Sequence, residues 1–119
     1  QDVRGGGDVR RKYGNIKTMV DGIKFDSKAE AKRYCELKLM ERGGVIKNLT
    51  LQQKYELQPK YEIDGRKERA ITYIADFVYY DIQKEKLVVE DVKRVETKDF
   101  KLKKKMFEYR YKTEITLER

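Results

Sequence analysis

Two short segments carry the residue types that could do chemistry. ITYIADFVYYD holds Asp76 inside an apolar, β-branched and aromatic run, and KLVVEDVKR ends a second such run with Asp91, Val92 and Lys93. Both runs have the composition of strands. Side chains at i and i+2 of a strand share a face, so Asp91 and Lys93 stand together. A paired strand can bring Asp76 beside them. Two carboxylates offer hard oxygens to Mg²⁺ or Mn²⁺. Such an ion activates water and neutralises charge on a phosphate under attack. A neighbouring ammonium orients the water or stabilises the transition state. Such a set is what metal-dependent phosphodiester hydrolysis would need.

Each residue also has a plainer explanation. Alternation puts Ile74, Asp76 and Val78 on one face, where a lone carboxylate is costly unless paired or metal-bound. The alternative is an edge-strand acid that reaches solvent. Asp91 and Lys93 could form a surface ion pair, worth less than ~1 kcal/mol. Glu90 rivals Asp91 if a bulge shifts the register. Glu30 closes Ser27-Lys28-Ala29-Glu30, the S-x-x-E form of a capping box. Taken alone it reads as a helix cap before it reads as a ligand.

Composition narrows the chemistry further. The chain has no His and a single Cys, Cys35. That nearly excludes a zinc site of the usual kind and removes Ser-His and Cys-His nucleophiles. A lone cysteine also suits a reducing cytoplasm. The polar, Gly-rich N-terminus does not resemble a secretory signal, and no apolar run approaches a membrane span. The 29 Lys and Arg exceed the 21 Asp and Glu, a net charge of +8 that favours a polyanionic partner. The excess gathers in the N-terminal arm (Arg11, Lys12 and Lys17 among others) and in DVKRVETKDFKLKKK.

Length fits one domain of about 15–119 behind a flexible basic arm, 1–14. Residues 16–25 alternate around Asp21-Gly22 and predict a small hairpin. SKAEAKRYCELKLMERGG predicts a helix that starts at Asp26 or Ser27 and stops at Gly43-Gly44. Ala31, Tyr34, Cys35 and Leu39 form its apolar stripe. Ile46 to Leu51 is ambiguous. Three strands follow, near 54–63, 69–80 and 86–93, the last two an antiparallel hairpin. Pro59 marks an edge or an irregularity in the first. A second helix spans about 98–111, with Phe100, Met106, Phe107 and Tyr111 toward the core. EITLE adds a terminal strand. The order is αβββαβ, an α/β fold.

In that order the motifs Asp76 … Asp91-Val92-Lys93, with Glu30 on the first helix, resemble the PD-(D/E)XK nucleases, archaeal-type Holliday junction resolvases among them. More closely, YGNIKTMVDGIKFDSKAEAKRYCELKLMERGG, QPKYEI, ITYIADFVY, VVEDVK and KLKKKMFEY resemble a small phage and prophage family. The likeness covers about residues 12–118. It implies a restriction-endonuclease-like core with a mixed sheet flanked by helices. It also implies a Mg²⁺ or Mn²⁺ site at Asp76, Asp91, Val92 and Glu30, with Lys93 catalytic, and so favours Glu30 as an active-site residue. Ala75 replaces the motif's proline, and Arg94 stands where a glycine often follows the lysine. Gln52, Gln53 and Gln58 are open candidates for a further polar contact.

Lys98, Lys101, Lys104 and Lys105 follow the strand of Asp91 and Lys93 closely, with Arg94 between, and suit phosphate contacts. Little length remains for a sequence-reading domain, which favours shape-selective cleavage of branched DNA by a homodimer. The rivals are a nicking or restriction-like enzyme on linear duplex and a non-catalytic DNA-binding protein.

Overall fold

The computed structural model of the chain describes residues 17–119. The arm expected over 1–14, with Arg11 and Lys12, lies outside the described residues. Lys17 is exposed. The elements run β1 (Thr18–Val20), β2 (Ile23–Phe25), α1 (Lys28–Arg42), β3 (Ile46–Gln58), β4 (Tyr61–Ile63), β5 (Arg66–Glu68), β6 (Ile71–Asp81), β7 (Lys86–Val92), α2 (Lys98–Tyr111) and β8 (Ile115–Glu118). One four-stranded sheet has the order β3-β6-β7-β8. Its first two pairings are antiparallel, and β7 pairs β8 in parallel. The chain is thus α/β with a mixed sheet and two helices.

Successive strand side chains point to opposite faces, and the core divides accordingly. Val88, Phe77 and Tyr79 pack with Ala31, Tyr34 and Leu37 of α1. Val89 and Val78 pack with Phe100 and Phe107 of α2. The helices therefore cover opposite faces of the sheet.

Local signals explain most boundaries. β1 and β2 close through Asp21 and Gly22, both with positive φ, the backbone of a tight hairpin turn. Ser27 caps α1, its side chain accepting from the Glu30 backbone N–H at 3.1 Å. Thr97 caps α2 in the same way, accepting from the Phe100 N–H.

Three expectations need correction. The first long strand starts at Ile46, inside the ambiguous stretch, and stops at Gln58. Pro59 has no N–H to give a ladder, so Tyr61–Ile63 pairs locally with Arg66–Glu68 as a separate hairpin. On α1, Leu37 is fully buried whereas Cys35 and Leu39 are exposed; the helix turns its stripe Ala31-Tyr34-Leu37 to the sheet. Tyr111, at the end of α2, is partly exposed yet stacks on Phe107 with ring centroids 5.0 Å apart.

Phe107 is 1% exposed and touches Tyr55, Tyr73 and Tyr111. Phe107→Ala is expected to cost about 3–5 kcal/mol in urea denaturation. Leu102, 60% exposed on the same helix, should change stability by less than ~0.5 kcal/mol when cut to Ala.

Candidate acidic site where two strands part

The hairpin ladder of β6 and β7 runs from Asp81 opposite Lys86 down to Phe77 opposite Glu90. Beyond that pair, side chains take over from the backbone. The Asp76 N–H donates to Asp91 Oδ1 at 3.1 Å, and the Val92 N–H donates to Asp76 Oδ2 at 2.9 Å. Each strand thus gives a peptide donor to the other's carboxylate. Along its other edge β7 pairs β8 from Val89 opposite Ile115 to Val92 opposite Glu118, so it stays paired there past the fork. The Lys93 N–H then donates to the Glu118 carbonyl at 3.0 Å. The two aspartates sit where the hairpin opens.

Side-chain alternation breaks at the same point. Phe77 and Tyr79 belong to the α1 face, whereas Tyr73 and Ala75, of the same parity, belong to the α2 face. The expected common face of Ile74, Asp76 and Val78 is therefore not formed. Ile74 is exposed, Val78 is buried under α2, and Asp76 lies in the break.

The sequence-predicted acids do come together. Asp91 is 1% exposed and Glu30 7%. Glu30 enters from the first turn of α1. The Gln52 amide of β3 donates to Glu30 Oε2 at 3.2 Å and, at the limit of hydrogen bonding, to Asp76 Oδ1 at 3.5 Å. Ser27 still caps the helix with its hydroxyl, so Glu30 occupies the capping-box position while its carboxylate serves the acidic cluster. Lys93 Nζ is 3.6 Å from Asp91 Oδ2 and 4.8 Å from the centre of the Phe100 ring. That ring holds the ammonium beside the acids.

Burial and like charge raise two of these carboxyls. Burial, then the Asp76 charge, pushes Glu30 up to about 7. Burial, then Asp76, pushes Asp91 up to about 7, against the pull of Lys93. Both causes disfavour the ionised form. Tyr73, missed in the sequence, adds a polar group: its hydroxyl is buried beside Asp91. Burial and the adjacent Asp91 carboxylate raise its pKa.

Glu90, the rival acid, has a different task. It is fully buried on the α1 side. Arg33 grips it with two donors, at 2.7 and 3.0 Å, and the Tyr79 hydroxyl donates at 2.6 Å. Its lone pairs are committed to the fold.

The basic residues divide. Arg94, Lys98, Lys101 and Lys105 are exposed. Lys104 is held by Glu108 at 2.8 Å, which its lysine spacing did not reveal; the acid lies one turn on, at i+4.

All the donors gathered here are oxygens, the set a hard divalent cation takes. Among the described residues, no three His, Cys, Asp or Glu side chains stand close enough to form a complete metal cage. Mg²⁺ commonly binds through one or two carboxylates and keeps several waters, so the pair Asp76–Asp91 fits such an ion without a cage. Among the described residues, no helix is long and apolar enough to cross a membrane.

Two outcomes follow from the buried charges. Arg33→Ala leaves Glu90 without its cation and is expected to cost about 3–5 kcal/mol by denaturant titration. Glu30 binds its proton more tightly folded than unfolded, its pKa raised from 4.5 to about 7. Stability therefore falls as pH rises through that window and levels off above it. Glu30→Gln removes the penalty: the variant should be more stable than wild type by roughly 1–3 kcal/mol at pH 8, converging with it near pH 4. Thermal melts across pH check both the sign and the window.

Residues 10–118 match the model of the family described as "Protein of unknown function (DUF1064)". No curated protein and no solved structure matches the chain. The match spans both helices and every strand of the sheet, so the chain belongs to the DUF1064 family.

Proposed function

We propose that the chain is a metal-dependent DNA endonuclease with a restriction-endonuclease-like core, acting on branched DNA in the cytoplasm of a phage-bearing bacterium. One observation carries this reading: Asp76 and Asp91 stand across a strand fork with Lys93 beside them, and Glu30 closes the group from α1. A fold gains nothing in stability from burying several carboxylates beside one lysine. A site that must hold a divalent cation next to a phosphate needs that arrangement.

Asp76 and Asp91 would hold a Mg²⁺ or Mn²⁺ ion, with the Val92 backbone at the same edge and Glu30 completing the acidic set. When bound, the ion supplies Lewis acidity to the phosphodiester and to the attacking water. The residues do the rest. The backbone donors of Asp76 and Val92 fix one oxygen of each aspartate, leaving Asp91 Oδ2 toward Lys93 and Asp76 Oδ1 toward the Gln52 amide. Lys93 would offer its ammonium, which lies 4.8 Å from the centre of the Phe100 ring, to the attacked phosphate. Phe100 lies in the first turn of α2, so the exposed Lys98, Lys101 and Lys105 begin beside the site and run along the helix. That placement supports phosphate tracking away from the cut. Lys104, engaged by Glu108, contributes less.

Junction resolution requires two symmetric cuts, which a twofold dimer supplies. The test is cleavage of labelled four-way junction, fork, linear duplex and single strand, with Mg²⁺ or Mn²⁺. Wild type should cut the junction symmetrically. Asp91→Asn should be slower by about three orders of magnitude, corresponding to several kcal/mol of lost charge stabilisation. Glu30 and Asp91 must shed protons to hold the cation, so the rate should rise with pH through about 7. Cutting of linear duplex instead assigns a nicking or restriction-like role. Binding without cutting, equal in wild type and Asp91→Asn, leaves a non-catalytic DNA-binding protein.

A further inference from the structure

Gln52 stands out in the body of β3. Its φ is +54°, a left-handed backbone that a glutamine adopts only at a cost of about 1 kcal/mol or more. No inserted residue requires it: Leu51 pairs with Phe77 and Gln53 with Ala75, so the register is the same on both sides. What changes is the facing. Leu51 packs on the α1 side, whereas Tyr55 and Leu57 pack on the α2 side. β6 switches faces between Ala75 and Phe77, directly opposite. The two strands roll together at Gln52 and Asp76.

The side chain explains why the strain persists. Gln52 Nε2 lies 3.2 Å from Glu30 Oε2 and 3.5 Å from Asp76 Oδ1. Both partners are acceptors, which fixes the amide with its nitrogen toward them. Among the described residues, no other side chain of β3 hydrogen-bonds to the acids. Gln53 donates to the Lys54 carbonyl instead, and Gln58 pairs opposite Ile71 at the far end of the strand.

We propose that Gln52 is a positioning residue of the acidic site, its amide tying the Glu30 carboxylate of α1 to Asp76 of β6 so that Asp76 keeps a fixed orientation toward a divalent cation held with Asp91. The proposal rests on the metal reading above. A carboxylate offers about four lone-pair positions, so an oxygen that accepts from the amide can still face a cation. Donors behind metal-facing carboxylates fix their orientation, and losing one typically lowers metal affinity by about 10–100-fold. Without the amide, the like charges of Glu30 and Asp76 turn the longer glutamate away.

The test is Mn²⁺ titration followed by electron paramagnetic resonance, with thermal melts on the same samples. Wild type is compared with Gln52→Gly, Gln52→Asn and Asp91→Asn. Glycine adopts positive φ freely and asparagine tolerates it, so both variants keep the fold, and Gln52→Gly should melt no lower than wild type. Both should bind Mn²⁺ about 10–100-fold more weakly, since asparagine is one methylene too short to reach both acids. A merely structural glutamine would leave affinity untouched. Unchanged or tighter Mn²⁺ binding in both variants, with wild-type binding that Asp91→Asn abolishes, overturns the role of Gln52 alone. Absence of specific Mn²⁺ binding in wild type overturns it together with the metal reading.

Discussion

The reciprocal exchange between Asp76 and the end of β7, at Asp91 and Val92, is the constraint on which the rest depends. Where a hairpin opens, each strand is left with peptide N–H groups that have lost their ladder partners, and burial makes such orphans expensive. Here one oxygen of each aspartate takes an N–H from the opposite strand. The carboxylates thereby replace two rungs of the sheet. Their remaining oxygens are held in fixed positions at the mouth of the fork, because moving either side chain would unpair a buried donor.

The same region buries acids in two distinct ways. Glu90 points to the α1 face and is neutralised by Arg33 and Tyr79. Asp91, the next residue, points the other way and meets one lysine at 3.6 Å and the buried hydroxyl of Tyr73. One acid holds a bidentate cation, and its neighbour does not. Alternation along β7 separates them completely, so a structural ion pair and a chemically available carboxylate can be adjacent in sequence without competing. The raised proton affinities of Glu30 and Asp91 express the same imbalance: carboxyls are gathered faster than cations. Structures accept such costs where a charge arrives from outside.

The helices do more than cover the sheet. α1 delivers Glu30 from its first turn while the Ser27 hydroxyl handles the cap, so the capping position and the acidic site are compatible in one residue. α2 places Phe100 beneath Lys93 and against Tyr73, linking the core of one face to the position of the ammonium. Core packing and site geometry are coupled there through a single aromatic ring.

Glu30 read from its own surroundings as a helix cap and joined the acids only through the family resemblance, but the sequence by itself determined the helices, the hairpin of β6 and β7, the αβββαβ order and the grouping of Asp76, Asp91 and Lys93. Those follow from periodicity, caps, turn residues and i, i+2 spacing, all of which are local. Tertiary structure alone decided the rest. Glu90 was separated from Asp91 by its contact with Arg33, fifty-seven positions away. Gln52 was separated from Gln53 and Gln58 by a left-handed backbone that no residue type announces. The face switch at Asp76 was hidden because alternation assumes a regular strand, and regularity fails where the hairpin forks. Lys104 was lost to Glu108 because ion pairing depends on which rotamers the packed helix allows. Local chemistry selects the participants, and the positions of their free lone pairs are set by contacts between distant strands.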